Sequence, residues 1–325
     1  MAALSRFASP RTGRSLYELA ITAVPYLLLW SALIWSVGNG FWWGLVLVVP
    51  AAAFLGRLFL IQHDCGHGSF FGSSAANDTL GRALGVLSLI PYDYWRKTHA
   101  IHHATTGNLD RRGIGDVDVL TVDEYRALSR RRQRLYRFAR HPAVLLGLGP
   151  LYLFVLKYRL PVGLMKDGAR YWVSAIGTSL AIAALFTGVG FLVGFQTLLI
   201  VQVPVSLLAG AFGVWMFYVQ HQFENPYWFR DEDWSFHAGA LQGSTYYVLP
   251  RPVAWMTANI GIHHVHHLAH RIPFYRLDEA VEAHPELGTM CRLSVMDSLR
   301  CWRLALIDER AGRMVSFRDL GPHTA

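Results

Sequence analysis

The histidines of this 325-residue chain are concentrated in three short clusters. Nine of the fifteen lie in three five-residue windows, at 63–67, 99–103 and 263–267. The first window has histidines at positions i and i+4, and the other two have them at i, i+3 and i+4. On a helix these positions project from one side and can converge on a metal. Clustered imidazoles are costly to bury without partners, so the pattern indicates metal binding rather than packing.

The number of these histidines exceeds what one metal ion needs. Imidazole nitrogen is a ligand for zinc, copper, iron and nickel rather than for magnesium or calcium. A single zinc ion takes three or four such ligands, so eight indicate a two-metal site, and spacing alone leaves the metal open. The candidate ligands are His63, His67, His99, His102, His103, His263, His266 and His267.

Two long stretches without charged residues place these clusters beside a membrane. Asp, Glu, Lys and Arg are all absent from residues 19–56 and from residues 171–223, runs of 38 and 53 residues. About 20 helical residues cross a bilayer core, so each run is long enough to cross twice, turning at residues 38–40 and within 188–194, where glycines occur. The predicted fold is an all-α integral-membrane protein with two hairpins, whose helices cover about 17–37, 41–62, 171–187 and 195–220.

The distribution of basic residues predicts the orientation of these hairpins. Both hairpin tips are uncharged, whereas residues 63–170 hold sixteen Lys and Arg and the last hundred residues hold ten. Because positively charged loops stay in the cytosol, we expect both termini and the segments 63–170 and 221–325 to be cytosolic. We expect residues 1–325 to form one domain, with a helical cytosolic cap that holds the two-metal site.

Four segments of the chain resemble the membrane-bound fatty acid desaturase family, closest to its bacterial and cyanobacterial acyl-lipid branch. They are HDCGHGSFF (63–71), HAIHHATTGNLD (99–110), YVQHQFEN (218–225) and HHVHHL (263–268). The resemblance covers about residues 17–280, and three histidine boxes in this order between two hairpins are a specific signal. It implies that the eight histidines hold two iron ions, and that His221 supplies a ninth ligand.

Other residues near the boxes have weaker expectations. Some members of the family hold a metal-bound water with an Asn one turn before the histidine that matches His221. This chain has Phe217 at that position, so the water contact is not expected here. Six histidines lie outside the pattern and are expected not to bind metal: His141, His237, His264, His270, His284 and His323. If any of the six did bind metal, His264 and His270 would be the first candidates. Candidates for supporting the ligands are Asp64, Asp93, Asp110, Asp116, Asp118, Glu224, Asn225 and Asn259.

The resemblance also implies an activity. It implies an O2-dependent oxidoreductase in a bacterial inner membrane that inserts a cis double bond into a lipid acyl chain, using two Fe ions and two electrons. The sequence contains no HPGG haem motif, so we expect a separate electron donor, ferredoxin-like or cytochrome b5-like. Two alternatives remain: a di-iron hydroxylase acting on an acyl chain or carotenoid, and, more remotely, a metal transporter, whose ligands would lie near the membrane midplane.

The net charge of +8 does not indicate nucleic-acid binding, because the basic residues lie where the membrane topology already places them. Seven arginines occur within residues 126–140 without an acidic residue among them. They either contact anionic lipid or dock a small acidic electron carrier. The apolar stretch 143–156 is too short to span a membrane and is expected at the interface or inside the cytosolic part.

Overall fold

Four long apolar helices dominate the structure. A computed structural model describes residues 2–116 and 118–321. Its helices long and apolar enough to cross a membrane are Thr12–Gly38, Trp42–His67, Ala169–Val193 and Phe195–His221. The four predicted membrane helices are therefore confirmed, although most run past their predicted ends. Hydropathy marks only the apolar part of a helix, whereas backbone hydrogen bonding continues to the next break.

The described residues form fifteen α-helices and five short strands. The helices of the first half are α1 (Ala2–Ser5), α2 (Thr12–Gly38), α3 (Val48–His67), α4 (Ser74–Leu87), α5 (Tyr92–Thr105), α6 (Val122–Ala127), α7 (Arg130–Ala139) and α8 (Gly149–Val155). Those of the second half are α9 (Ala169–Val193), α10 (Phe195–His221), α11 (Phe236–Gln242), α12 (Arg251–Met256), α13 (His263–Leu268), α14 (Leu277–Ala283) and α15 (Val295–Cys301). The strands are β1 (Leu120–Thr121), β2 (Tyr246–Tyr247), β3 (Arg292–Leu293), β4 (Leu306–Asp308) and β5 (Arg313–Val315).

Short helical turns of other types complete the chain. A 3-10 turn, Trp42–Leu47, leads into α3, and a π-helical turn, Val144–Leu148, leads into α8. Further 3-10 turns are Lys157–Arg159, Phe274–Arg276 and Leu287–Thr289.

The two hairpins reverse at glycines with left-handed backbone conformations. Gly40 has φ +77° between α2 and the second membrane helix, and Gly194 has φ +87° between α9 and α10. This region of φ favours glycine because other L-residues are strained there. The second reversal thus comes at the end of the predicted 188–194 stretch, and α9 runs unbroken through Gly188 and Gly190.

The start of α2, the end of α3, the start of α9 and the end of α10 all lie on one side. The backbone N–H of Arg11, just before α2, donates to the hydroxyl of Tyr275 (2.9 Å). The N–H of Tyr94 on α5 lies 3.3 Å from Oγ of Ser174 on α9. We call residues 68–116, 118–168 and 222–321, which gather on this side, the cap.

Two small sheets hold the cap together, a feature that the all-α prediction did not include. Strand β4 pairs with β1 in parallel and with β5 in antiparallel orientation, and β2 pairs with β3 in parallel. Strands of two or three residues are shorter than the four to eight residues that give a period-two signal. The β1–β4 pairing joins the two halves of the cap, because Leu120 lies opposite Leu306, whereas β2 and β3 both belong to the second half. The fold remains predominantly helical.

A buried ion pair links the first hairpin to the cap. Glu18 and Arg57, the charges that flank the 38-residue apolar run, are each 1% exposed, and Nη2 of Arg57 donates to Oε2 of Glu18 (2.5 Å). Arg57 also donates from Nε to Oγ1 of Thr22 (3.1 Å) and from Nη1 to the carbonyl of Trp255. Its guanidinium lies 4.3 Å from the ring centre of Trp255. The pair therefore joins α2, α3 and α12.

We expect the variant Glu18→Leu to be destabilised by about 3–5 kcal/mol, because it leaves the Arg57 cation buried without a carboxylate. The double variant Glu18→Leu/Arg57→Met should recover a large part of this loss, since replacing a whole buried pair with apolar residues is often close to neutral. Thermal unfolding in detergent measures both. The control is Arg82→Met, which breaks an exposed pair with Asp93 and should cost less than about 1 kcal/mol. A double variant no more stable than the single one would contradict this account.

Candidate metal centre

Four helices carry the nine predicted histidines to one place. His63 and His67 lie one turn apart at the end of α3, which stops at Gly68 with φ +67°. His221 is the last residue of α10. The remaining six lie on α5 (His99, His102, His103) and on α13 (His263, His266, His267).

The nine histidines form two groups. In each group, every residue offers one nitrogen, and these atoms all lie within 4.8 Å of one another. The five-histidine group contains His63, His67, His99, His103 and His266, and the four-histidine group contains His102, His221, His263 and His267. All nine side chains are buried except that of His67, which is half-buried.

The two histidine triplets each divide between the groups, in opposite senses. On α5, the i and i+4 histidines join the five-histidine group and the i+3 histidine joins the other. On α13, the i and i+4 histidines join the four-histidine group and the i+3 histidine joins the five-histidine group. A helix turns about 100° per residue, so the i+3 and i+4 side chains point about 100° apart on either side of position i. Each triplet thus contributes to two neighbouring sites rather than to one.

The spacing of the nitrogens matches that of ligands around one ion. In the five-histidine group, successive Nε2 atoms of His63, His67, His99 and His103 lie 3.3, 3.1 and 3.1 Å apart. In the four-histidine group, those of His102, His221, His263 and His267 lie 3.2, 3.0 and 3.1 Å apart. Metal–nitrogen bonds of 2.0–2.1 Å place neighbouring ligand atoms about 2.9–3.4 Å apart.

Two histidines of the four-histidine group form hydrogen bonds through Nδ1, the outer nitrogen, which points away from the other histidines. These bonds show that Nε2, the inner nitrogen, carries a lone pair in both rings. Nδ1 of His221 lies 3.2 Å from the carbonyl of Gly243, and Nδ1 of His102 contacts a carboxylate oxygen of Asp116. Both partners only accept, so both histidines hold their hydrogen on Nδ1. Two bare Nε2 atoms 3.2 Å apart cannot hydrogen-bond to each other. A cation between them satisfies both, so these residues fit a metal ion.

Two further outer contacts orient ligands in the same way. Oγ1 of Thr106 donates to the carbonyl of His102 (2.7 Å) and can therefore accept from Nδ1 of His267, 3.2 Å away. Oδ1 of Asp64 lies 3.4 Å from Nδ1 of His63. Such outer partners fix the ring and tautomer of metal-binding histidines.

The five-histidine group also contains a buried ring nitrogen that lacks a hydrogen-bond partner. Nε2 of His266 is buried and has no hydrogen-bond partner among the described residues. Buried polar atoms in folded proteins nearly always have a partner, and an ion in this group would provide one.

Burial also keeps ligands in the protonation state that metals bind. Desolvation, reinforced by the neighbouring imidazoles, lowers the pKa well below its usual value for His99, His103, His263, His266 and His267. These rings are therefore neutral at pH 7. Only a neutral imidazole can bind a metal through a ring nitrogen.

Among the candidate supporting residues, Asp64 and Asp116 contact histidines of the two groups, and three others have partners elsewhere. Asp93 binds Arg82, Asp110 binds Arg230, and Asn259 binds Asp278. The described structure shows no hydrogen bond from the side chains of Asp118, Glu224 or Asn225 to a group member. Sequence reasoning missed Gly243 and Thr106, because a backbone carbonyl and a hydroxyl distant in sequence carry no signal for this role.

The remaining histidines lie outside both groups. Nε2 of His264 donates to the carbonyl of Leu287 (2.8 Å), so this ring supports the cap. The ring of His270 lies 5.0 Å from that of His67, outside the five-histidine group as its nitrogens define it. Neither group includes His141, His237 or His284, and His323 lies outside the described residues.

Aromatic rings close the site on two sides. The ring of Trp95 stacks on that of His99, with centres 4.6 Å apart and 16° between the planes. Phe217 lies 5.0 Å from both His102 and His221, and with Gln222 and Trp228 it lines a small cavity beside the four-histidine group. These rings shield the groups from water, and the cavity adjoins the group with fewer ligands.

Four long apolar helices, two of which end in histidines that join those of α5 and α13, define a class of helical membrane proteins with a site that could hold metal. The chain belongs to the fatty acid desaturase family, an oxidoreductase class, since the family model with that description matches residues 40–294. It is 44% identical over 319 residues to "Fatty acid desaturase" of Bacillus subtilis (strain 168), covering 98% of this chain and 90% of that protein. The resemblance noted in the sequence is thereby confirmed.

Two more distant relatives carry more detailed names. "sn-1 acyl-lipid omega-3 desaturase (ferredoxin)" of Synechocystis sp. (strain ATCC 27184 / PCC 6803 / Kazusa) is 31% identical over 73% of this chain and 66% of its own length. "Temperature-sensitive sn-2 acyl-lipid omega-3 desaturase (ferredoxin), chloroplastic" of Arabidopsis thaliana is 29% identical over 82% of this chain and 59% of its own length. The chain thus spans less than two thirds of the length of either protein.

Adjacent residues His263 and His264 provide a matched test of the metal centre. We expect His263→Gln to lower the metal content of the purified protein by about one ion per chain, because it removes one of only four imidazoles in its group. His264→Gln should keep the wild-type metal content, because that ring contacts only the cap. Elemental analysis by mass spectrometry measures both. Equal metal loss in the two variants would contradict the assignment.

Proposed function

We propose that this protein inserts a cis double bond into the acyl chain of a membrane lipid, at two iron ions held by nine histidines. The observation that carries this proposal is the convergence of the imidazoles in one group of five and one of four. The residues to which we assign metal-binding and catalytic roles are His63, His67, His99, His102, His103, His221, His263, His266 and His267.

The donor set supports iron over zinc. Zinc in proteins is mostly four-coordinate, whereas five imidazoles suit an ion with a larger coordination number, and imidazole is a common ligand of non-haem iron. Two iron ions bound here would supply, together with O2, the oxidising power that an unactivated C–H bond requires. Overall, a –CH2–CH2– unit loses two hydrogens and becomes –CH=CH–. O2 takes up these hydrogens with two further electrons and two protons, and two water molecules form.

The protein's own residues orient the ligands and exclude water. Asp116 holds the ring of His102, and the carbonyl of Gly243 holds that of His221, so that both Nε2 atoms face the site. Trp95 and Phe217 cover the rings with apolar surface. A dry site protects a strong oxidant from side reactions and confines it to the chain placed beside it.

A membrane lipid is the substrate class that the position of the site supports. Two of the four membrane helices end in proposed ligands, His67 and His221, which supports a site near the point where an acyl chain leaves the bilayer core. The cyanobacterial and plant relatives are named as acyl-lipid desaturases.

We further propose that the cap faces the cytosol across a bacterial inner membrane, with four crossings and both termini on the cap side. The excess of Lys and Arg in the cap supports this orientation, and the bacterial relative supports the setting. One apolar core runs from the N-terminal Phe7 through the membrane helices to Leu287 in the cap. This continuity supports a single domain over residues 1–325.

The two electrons would come from a separate carrier protein. Between a ferredoxin-like and a cytochrome b5-like donor, the names of the cyanobacterial and plant relatives, which include "(ferredoxin)", support the first.

Expression in a host that lacks the activity tests the reaction. We expect mass-spectrometric mapping to find new cis double bonds in the acyl chains of that host's lipids. His99→Ala and His266→Ala should abolish them, because each removes an imidazole from the five-histidine group. His237→Ala is the control, since this exposed histidine lies outside both groups, and should keep full activity.

Three outcomes would contradict the proposal. New hydroxy-lipids in place of alkenes would indicate a hydroxylase. Full activity in His99→Ala would remove the metal assignment. Tightly bound zinc without iron, in protein made with ample iron, would favour metal transport or storage.

A further inference from the structure

The exposed arginines of α7 follow one another on a single helix and lack acidic partners, whereas several other exposed arginines of the cap are paired. Arg82, Arg111 and Arg230 pair with carboxylates at 2.7–2.9 Å. Five arginines on α7 are exposed and have no ion pair within the described part of the chain. Arg137 donates from Nε to the hydroxyl of Tyr125 (2.6 Å), and the other four have no such side-chain partner among the described residues: Arg130, Arg131, Arg132 and Arg134. Positive charge therefore remains unneutralised on this helix, and a negatively charged partner fits it.

The same surface also exposes large apolar side chains. Leu135 and Phe138 on α7 are 65% and 56% exposed. The segment 144–159, which meets α7 at 68°, exposes further residues of this kind: Leu148, Leu151, Tyr152, Val155 and Leu156. Many exposed large apolar side chains on neighbouring elements are unusual for a surface that faces water. Arginines beside exposed Leu and Phe are typical of helices that lie in a membrane interface.

Packing against α10 places this segment level with the hydrocarbon. A Cβ atom on Gly210 would lie 2.6 Å from Phe154 and 2.8 Å from Pro150, so α8 touches α10 at this residue. Counted from Phe195, the 20 residues that cross a bilayer core end near residue 214. Gly210 therefore lies about 6 Å inside that boundary. The exposed apolar residues of the segment then face lipid rather than water.

Arginines on either side of segment 144–159 fix it, and the end of α7 that precedes it, to the membrane helices. Arg140, at the end of α7, is buried and donates to Oε1 of Gln222 (2.9 Å) and to the hydroxyl of Tyr218 (3.1 Å) at the end of α10. Arg159, at the end of the segment, donates from Nη1 to Oγ of Ser179 on α9 (3.1 Å). These bonds hold α7 beside the membrane boundary, within reach of lipid headgroups.

We propose that α7 and segment 144–159 form a membrane-inserted unit whose four unpaired arginines bind the phosphate groups of anionic lipids. An acidic electron carrier would account for the charge of this surface, but it would leave the exposed apolar residues facing water. An anionic lipid surface accounts for both features. The proposal goes beyond the desaturation reaction and does not rest on it. The two experiments that test it, a lipid titration and a measurement of membrane depth, do not involve catalysis.

Lipid titration tests the arginines. We would titrate the full-length protein in neutral detergent with phosphatidylglycerol, phosphatidylcholine and inorganic phosphate. The variant Arg130→Gln/Arg131→Gln/Arg134→Gln should bind phosphatidylglycerol roughly 100-fold more weakly. The same three positions changed to Lys should retain most of the binding. Arg300→Gln/Arg303→Gln/Arg310→Gln removes equal charge from exposed positions elsewhere in the cap and should leave binding unchanged.

Depth measurements test insertion of the segment. A fluorophore on Leu151→Cys, in a Cys291→Ser background, should be quenched in nanodiscs by lipids that carry a quencher on the acyl chain. The same label on His237→Cys should not be quenched.

Any of three results would overturn the proposal. The fluorophore at position 151 could remain unquenched by the lipids that carry the acyl-chain quencher. Inorganic phosphate could bind as tightly as phosphatidylglycerol, which would indicate a soluble-anion site. The glutamine variant could keep its affinity for phosphatidylglycerol while losing that for a bacterial ferredoxin, which would assign α7 to the electron carrier.

Discussion

Nine imidazoles packed side by side, where the ends of two membrane helices meet two cap helices, are stable only when the lone pairs of the ring nitrogens that face one another have a partner. In the four-histidine group, hydrogen bonds on the outer nitrogens of His102 and His221 leave both inner nitrogens bare and 3.2 Å apart. Without a cation such a pair is repulsive and desolvated. The arrangement of helices, cap and outer hydrogen bonds can be understood as what is needed to assemble these nitrogens around metal ions.

The membrane helices supply the rigid part of that assembly. Two hairpins bring α3 and α10 back to the same side, so that His67 and His221 end neighbouring helices. The Glu18–Arg57 pair joins the first hairpin to α12 of the cap through the carbonyl of Trp255. Ligands on α5 and α13 come from the cap, so the two groups form only where the cap packs against the membrane helices. Structure and site therefore depend on each other.

Much of this arrangement is predictable from sequence, because its signals are local. Apolar runs without charge predict the hairpins, and histidines at i, i+3 and i+4 predict convergence. His221 follows from resemblance alone, since a single histidine at a helix end has no pattern of its own. The division of each triplet between two groups is not predictable, because helical periodicity gives directions around a helix but not the elements that face them. Thr106, Gly243 and the two-residue strands were missed for the related reason that their partners are distant in sequence.

Diffraction measured on either side of the iron absorption edge, from crystals of the protein purified with its metal, tests the central claim most directly. We expect two anomalous peaks per chain, one within the five-histidine group and one within the four-histidine group, both of which vanish below the iron edge. A single peak, peaks away from these nitrogens, or peaks that persist below the iron edge would contradict it.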